Sequence, residues 1–283
     1  MENFTDYIYN FSTFLYSSFN NSISSVLDRI VFINKNIIDD RYAFKFNGDK
    51  TLFVIERLAN TFLYGILIYV MFKYLLNKIT NEENEDITGV IYKLLIAAIL
   101  IGFSKEICGF ILEINGYISD EILSFGKSIT KKEITFDALF KKIKLIIGYS
   151  KGEDAKSVNT ILQGFVSFGL INLVLIYSLR YIYIKILCLM FPFAIVLKSN
   201  KKMEYISKAW LKSFVGLLCL QHLIAIILIF AINIRSNGTN ILGKVVCVGC
   251  VYALMQINEL QREIMGSSSL YINTALRAQK GGI

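Results

Sequence analysis

The strongest constraint on this chain is a series of long apolar stretches that contain few charged side chains. They cover residues 58–72, 89–112, 161–179, 213–234 and 241–258. An α-helix rises 1.5 Å per residue and the hydrocarbon of a bilayer is about 30 Å thick, so a stretch of roughly 20 apolar residues crosses it once. We therefore expect an all-α, polytopic integral membrane protein with about five transmembrane helices.

The composition supports the same class. Hydrophobic residues make up 54% of the chain and charged residues 18%, which is too apolar for a disordered protein and unusually poor in charge for a soluble one. The formal net charge is +8. In a membrane protein, basic residues mainly indicate which side a loop occupies, so this charge is not a sign of nucleic-acid binding.

Hydropathy divides the chain into five regions. Residues 1–57 are an amphipathic N-terminal region, in which apolar residues recur at spacings of three and four between Phe4 and Phe19. Residues 58–114 hold the first two transmembrane helices and 115–160 form a polar loop. Residues 161–258 are the transmembrane core, and 259–283 are a cytoplasmic tail.

The polar loop contains one short amphipathic helix. Five apolar residues are expected on one of its faces: Phe136, Leu139, Phe140, Ile143 and Ile147. Lysines flank this face, so the pattern indicates either a basic helix on a membrane surface or a docking element.

The number of crossings depends on the segment 186–197, which contains the only proline, Pro192. Twelve residues span only about 18 Å as a helix, and proline removes a backbone donor, so the segment is predicted to be half-inserted or re-entrant. Five spans follow. The distribution of basic residues between the two sides prefers six, because it becomes more asymmetric if 161–197 crosses twice.

Basic residues orient the C-terminal half. The segment 198–212 contains Lys198, Lys201, Lys202, Lys208 and Lys212. The positive-inside rule makes this loop cytoplasmic, and the C-terminus, two crossings later, lies on the same side.

No pattern of residues indicates catalysis. The chain has one histidine, no paired acids at membrane depth and no phosphate-binding glycine loop. Cys247 and Cys250 form a Cys-x-x-Cys within an apolar helix, where packing is the simplest interpretation. We therefore predict that the protein is not an enzyme and has no catalytic, cofactor or metal site.

A more specific signal lies between residues 160 and 266. An apolar helix headed by Arg180 leads to Pro192 and the basic loop. Trp210-Leu-Lys-Ser-Phe214 and Leu220-Gln-His-Leu-Ile follow, and Glu259-Leu-Gln-Arg-Glu-Ile-Met-Gly266 comes after the last span. This order resembles the TrbL-type polytopic membrane proteins of conjugative (type IV) secretion systems. The chain departs from the pattern where Gln221 is followed directly by His222, with no proline between them.

The resemblance implies a channel or platform subunit in the bacterial plasma (inner) membrane, which assists the translocation of DNA or protein. The implied partners are the lipid bilayer, other secretion subunits including the motor ATPase, and further copies of the chain in a homo-oligomer. Transient contact with a translocated DNA–relaxase substrate is also implied. A small secondary transporter or permease is the alternative function.

The same resemblance makes Arg180, Pro192, Trp210, Gln221 and His222 candidate pore or assembly positions. Each has a simpler interpretation. Arg180 and Trp210 are typical anchors at a membrane–water interface, and His222 could be a hydrogen-bonded histidine of the protein interior.

Overall fold

The computed structural model describes residues 7, 10, 21–38, 48–80, 87–148, 153–200, 203–234 and 241–265 of the chain. All regular structure in these ranges is helical, which confirms the all-α class. The predicted amphipathic segment between Phe4 and Phe19, apart from two isolated positions, and residues 266–283 of the tail lie outside the described residues.

The described helices follow one another without strands. They are α1 (Asn21–Val31), a 3-10 turn (Lys35–Ile37), α2 (Gly48–Thr80), α3 (Ile87–Gly102), α4 (Ser104–Thr130), α5 (Phe136–Gly148), α6 (Glu153–Leu189), α7 (Phe191–Ser199), α8 (Glu204–Asn233) and α9 (Ile241–Met265).

Among the described residues, three helices are long and apolar enough to cross a membrane: Lys50–Ile79, Ile161–Leu189 and Glu204–Asn233. The pair α3 and α4 makes a fourth if it counts as one broken span, and Leu242–Ile257 is a shorter apolar helix. Large apolar side chains on α2, including Phe62, Ile68 and Phe72, are exposed. Such faces are compatible with a membrane protein, and the counts of five or six spans stay predictions.

The second apolar stretch, 89–112, is not the single straight helix that its hydropathy predicted. It breaks at Phe103, and α3 and α4 are bent by 68°. Backbone hydrogen bonds continue across the break, from Phe103 N to Ile99 O and from Ile107 N to Phe103 O. Gly102 precedes the bend, and glycine is one of the residues at which sharp helix bends occur. Beyond the bend α4 continues to Thr130, through the predicted boundary between residues 114 and 115.

The segment around Pro192 is also divided differently. Helix α6 continues to Leu189, so residues 186–189 belong to it, and a separate short helix α7 begins at Phe191. Pro192 lies in the first turn of α7. At this position the missing backbone N–H costs no helical hydrogen bond, so proline begins a helix here instead of kinking one.

The chain forms two compact units, which are described separately. The first unit comprises Met1–Ile33, Asn115–Ile182 and Leu218–Ile264, and it contains α1, α5, α9 and parts of α4, α6 and α8. The second unit comprises Asn34–Ile114, Tyr183–Leu217 and Met265–Ile283, and it contains α2, α3, α7 and the remaining parts of those three helices.

The core of the first unit contains helix α5. Four of the five apolar residues that define its predicted face, Phe136, Leu139, Phe140 and Ile143, are buried together with Leu27 and Val31 of α1. The side chain of Ile147 is not among those that the structure describes. A membrane-surface position for this face is therefore wrong: the face docks inside the unit, since α1 offers it an apolar partner.

Two side-chain oxygens fix the start of α5. The Thr135 hydroxyl accepts a hydrogen bond from Ala138 N at 3.1 Å, and Oδ1 of Asp28 accepts one from Phe136 N at 3.0 Å. Such acceptors satisfy backbone donors that have no partner within the helix. Asp28 thereby links α1 to the beginning of α5.

Helices α2, α3 and α7 build the core of the second unit, in which Ala59, Leu63, Leu94, Ala97 and Val196 are buried together. Alanines on α2 and α3 allow these two helices to approach closely. The rings of Phe62 and Phe193 meet edge to face, with centroids 6.5 Å apart.

Candidate functional site

The first unit contains a buried arginine that binds the end of another helix. Arg180, on α6, is only 2% exposed, and its Nη1 donates a hydrogen bond of 2.9 Å to the carbonyl oxygen of Val31. Val31 is the last residue of α1. The last carbonyl groups of a helix lack partners within it and carry partial negative charge, so a cation there is stabilising.

Gln221, on α8, binds the same stretch of backbone. Its Oε1 accepts a hydrogen bond from Ile33 N at 3.1 Å. Its Nε2 donates to the Asn115 carbonyl oxygen at 3.2 Å and to Ser119 Oγ at 2.6 Å. The Ser119 hydroxyl in turn donates to the Asn115 carbonyl oxygen at 3.2 Å. The amide of this fully buried side chain is therefore bonded at both ends.

Arg180 and Gln221 together hold the segment Val31–Ile33 through its main-chain atoms. We call the group of Arg180, Gln221, Asn115 and Ser119 the polar clamp. The interpretation of Arg180 as an interfacial anchor is not supported, because its guanidinium is enclosed within the first unit. Gln221 is fully buried in the same unit, and its role as a pore or assembly position stays a prediction.

The sequence interpretation missed Asn115 and Ser119, because 115–160 was assigned to a loop. They are spaced four residues apart on α4, and this spacing, which places two polar side chains on one helix face, was the available signal.

Other buried polar atoms of the first unit have no hydrogen-bond partner among the described residues. They include Nε2 of His222, Nδ2 of Asn115 and Oγ of Ser167. His222 is half-buried and lies within electrostatic range of Arg180. Unpaired polar groups in an apolar surrounding are costly.

Helices α6 and α9 are joined by a further polar contact in the first unit. The Tyr177 hydroxyl, which is buried, donates a hydrogen bond of 3.0 Å to the Leu254 carbonyl oxygen. Tyr177 lies in the core of the first unit, and its ring contacts Phe136. Cys247 is buried in the same core, as expected for a packing role.

Pro192 and Trp210 are both in the second unit. Because Pro192 starts α7, it places Phe191 against Trp210 of α8, with ring centroids 5.4 Å apart. The ring of Trp210 also stacks on Phe214 at 5.2 Å and 20°. Its Nε1 is buried and has no hydrogen-bond partner among the described residues. Trp210 lines a cavity of about 500 Å³.

The predicted basic loop is largely helical. Lys198 lies in the last turn of α7, and Lys208 and Lys212 lie on α8, which begins at Glu204. Lys208 pairs with Glu204 at 2.9 Å. Lys201 and Lys202 are outside the described residues.

Across the part of the chain that the structure describes, no group of three or more His, Cys, Asp or Glu side chains is placed to hold a metal ion. Comparison with known protein families, curated proteins and solved structures gives no match to this chain. The fold itself defines the class: an all-helical protein with three or four long apolar helices that could span a membrane.

Proposed function

We propose that this protein is a TrbL-type subunit of a conjugative (type IV) secretion apparatus. It acts in the bacterial plasma membrane as a channel or platform component that assists the translocation of DNA or protein. In this proposal the segment 198–212 and the C-terminus are cytoplasmic. The chain assembles with further copies and with the motor ATPase, and it meets the DNA–relaxase substrate only transiently.

The observation that carries the proposal is that two residues of the resemblance, Arg180 and Gln221, bind one short stretch of backbone. They lie on different helices, and both are buried. A buried charge is costly unless it is well bonded. We therefore infer that this arrangement selects one specific packing of the helices. A subunit that supports a large membrane machine needs this kind of fixed framework.

The unpaired polar atoms of His222, Asn115 and Ser167 support the proposal further. Ionisable and polar groups within apolar helices usually face a bundle interior, a water-filled path or a partner. Their burial in the interior of the first unit fits a subunit whose helices pack into a fixed framework.

The proposal is tested by deleting the gene in its native host and measuring the frequency of conjugative transfer. We expect transfer to fall to background and to be restored by the wild-type chain. The tagged chain should also co-purify with a motor ATPase. Unchanged transfer in the deletion strain would contradict the proposal.

Two helix breaks favour a small secondary transporter as the second candidate. One break is at Phe103 between α3 and α4, and the other is at Met190 between α6 and α7. Transporters commonly bind substrates at interrupted helices, in corresponding positions of two repeats. Purified protein in liposomes separates the candidates, because accumulation of a solute against its gradient requires a transporter.

The orientation can be tested at Thr130, the last residue of α4. With five spans this position is external, and with six it is cytoplasmic. We expect a Thr130→Cys variant to react with a membrane-impermeant maleimide in intact cells, in a background where Cys219 is replaced by serine. Reaction only after lysis would establish the six-span arrangement.

A further inference from the structure

The cavity next to Trp210 lies entirely within the second unit. Side chains from α3, α4, α7 and α8 line it, and its volume is about 500 Å³. This volume falls in the range of roughly 300–1,000 Å³ that is typical of small-molecule sites. The cavity is therefore large enough to hold a substantial part of an organic ligand.

The lining is polar at one end and apolar at the other. Lys198 and Ser199 end α7, and Glu204 begins α8, so these three lining residues lie where the two helices succeed each other in the chain. Lys93, from α3, is within electrostatic range of Glu204 and belongs to the same end.

The other end of the lining is formed by Phe191, Trp210, Ile107 and Ile111. At 1.5 Å per residue, Phe191 and Lys198 are about 10 Å apart along α7. A ligand that fits this gradient has a polar head and an apolar tail.

The cavity opens to an apolar surface. Leu100 and Leu211 line it and are 38% and 48% exposed. Tyr92, Leu95 and Ile99 on α3 are exposed too. Lipid is the medium that suits such a surface, so the ligand enters from the bilayer.

The polar end has a positive balance. The Glu204 carboxylate pairs with Lys208 at 2.9 Å. Lys93 and Lys198 also lie within electrostatic range of Glu204, and these two lysines outnumber the one carboxylate in the lining, so an anion is attracted. Lysine at a membrane surface attracts anionic lipid head groups, and basic pockets between helices bind them.

We propose that this cavity is a binding site for one anionic glycerophospholipid. The phosphate lies at Lys93 and Lys198, and an acyl chain lies along Phe191, Ile107 and Ile111. The proposal shares with the proposed function only the membrane location, and it does not depend on a secretion role.

The test uses the purified full-length protein in detergent and native mass spectrometry. Phosphatidylglycerol and phosphatidylcholine with identical acyl chains are added separately. We expect one phosphatidylglycerol to be retained at a detergent concentration that removes phosphatidylcholine. Excess inorganic phosphate should not displace it, because a free ion lacks the acyl chain.

Two variants locate the site. The double variant Lys93→Gln, Lys198→Gln should lower phosphatidylglycerol retention by about tenfold or more. Each lysine near a membrane surface adds to the attraction of an anionic head group, and the variant removes two of them. Ala194→Leu, which fills the apolar part, should lower retention without changing any charge. Lys78→Gln, at an exposed lysine of the same unit outside the lining, is the matched control and should have no effect.

Thermal unfolding without added lipid verifies that each variant is folded. Equal retention of both lipids by the wild type would overturn the proposal, as would a double variant that is folded and retains phosphatidylglycerol fully. Displacement by inorganic phosphate alone would show an anion site instead of a lipid site. Conjugative transfer is a separate measurement, so failure here leaves the proposed function standing.

Discussion

The two units use polar groups in opposite ways. In the first unit, Arg180 and Gln221 are buried and bind the backbone of Val31–Ile33. In the second unit, Lys93, Lys198 and Glu204 line an open cavity. A basic residue in an apolar segment can therefore have either of two roles. Arg180 connects two helices inside a core, whereas Lys93 and Lys198 line a space where a ligand can bind.

The glycines of the two units can be compared by the space around them. A Cβ atom added at Gly126, in the first unit, would lie 2.5 Å from Cγ1 of Ile229, and one added at Gly169 would lie 3.0 Å from Cγ1 of Val251. At Gly65 and Gly109, in the second unit, nothing lies within 4 Å. Nothing lies within 4 Å of a Cβ atom added at Gly249 of the first unit either, so among the described glycines the tight contacts are those of Gly126 and Gly169.

The largest effect is expected for Arg180. Arg180→Met keeps much of the apolar stem but removes the charged donor, so the Val31 carbonyl keeps only its 3.2 Å hydrogen bond from Ile33 N. We expect a loss of about 1.5–3 kcal/mol in the free energy of unfolding, measured by denaturation in mild detergent. Arg57→Met is the matched control in the second unit, where an exposed guanidinium lies over the Phe53 ring at 4.5 Å. Arg57→Met should lower the free energy of unfolding by about 1 kcal/mol or less. Equal losses for the two arginine variants would contradict the difference between the two units.

Gln221 should have a slightly smaller effect. Gln221→Leu leaves the Ile33 N–H and the Asn115 carbonyl without this partner, which should cost about 1–3 kcal/mol. Gln256→Leu is the control within the same unit, because Gln256 forms a single exposed hydrogen bond to the Tyr252 hydroxyl. Its cost should stay within about 0.5 kcal/mol. If the two variants lose the same free energy of unfolding, the polar clamp does not stabilise the first unit.

A pair of glycine substitutions on α4 compares the packing of the units directly. Gly126→Ala should destabilise by about 1–3 kcal/mol, because Ile229 and Ile134 must move. Gly109→Ala has open space and should stabilise by about 0.5–1 kcal/mol through helix propensity. Opposite shifts of the unfolding midpoint are expected, and shifts of the same sign would contradict the difference in packing.

A pH-dependent effect is expected at Asp28. Burial raises the pKa of Asp28 from 3.8 to about 6, although its hydrogen bond from Phe136 N opposes the shift. The folded first unit therefore binds a proton more tightly than the unfolded chain does. Stability should be greatest below pH 4 and should decrease as the pH rises towards 6, after which it is constant with respect to this group. Asp28→Asn keeps the acceptor, so this part of the pH dependence should vanish in unfolding measurements between pH 4 and 7. A slope that persists in the variant would assign it to another group.

The class of fold was predictable, because apolar length and helical periodicity are local properties of the sequence. The apolar face of α5 was also predictable from the spacing of Phe136, Leu139 and Ile143. Its partner α1 was not, since hydropathy contains no information about which distant segment covers a face. The bend at Phe103 was missed because Gly102 is a weaker breaking signal than proline.

The candidate residues show the same limit. Arg180 and Gln221 were singled out through the resemblance to TrbL-type proteins. Their shared target at Val31–Ile33 was not foreseen, since it consists of backbone atoms in a region for which the sequence indicated only amphipathic character. Trp210 was expected at a membrane interface, and only the positions of α3, α4 and α7 revealed the cavity beside it.

The polar clamp has a consequence for how this sequence can change over generations. Arg180 and Gln221 bind a carbonyl oxygen and an N–H group, which nearly every amino acid supplies. Substitutions at positions 31 and 33 can therefore accumulate without a compensating change at 180 or 221, provided that the new side chains fit the core. Proline at position 33 is the exception, because it lacks the N–H that Gln221 accepts. Related chains should thus keep the arginine and the glutamine while the residues they hold drift, with little correlated variation between them.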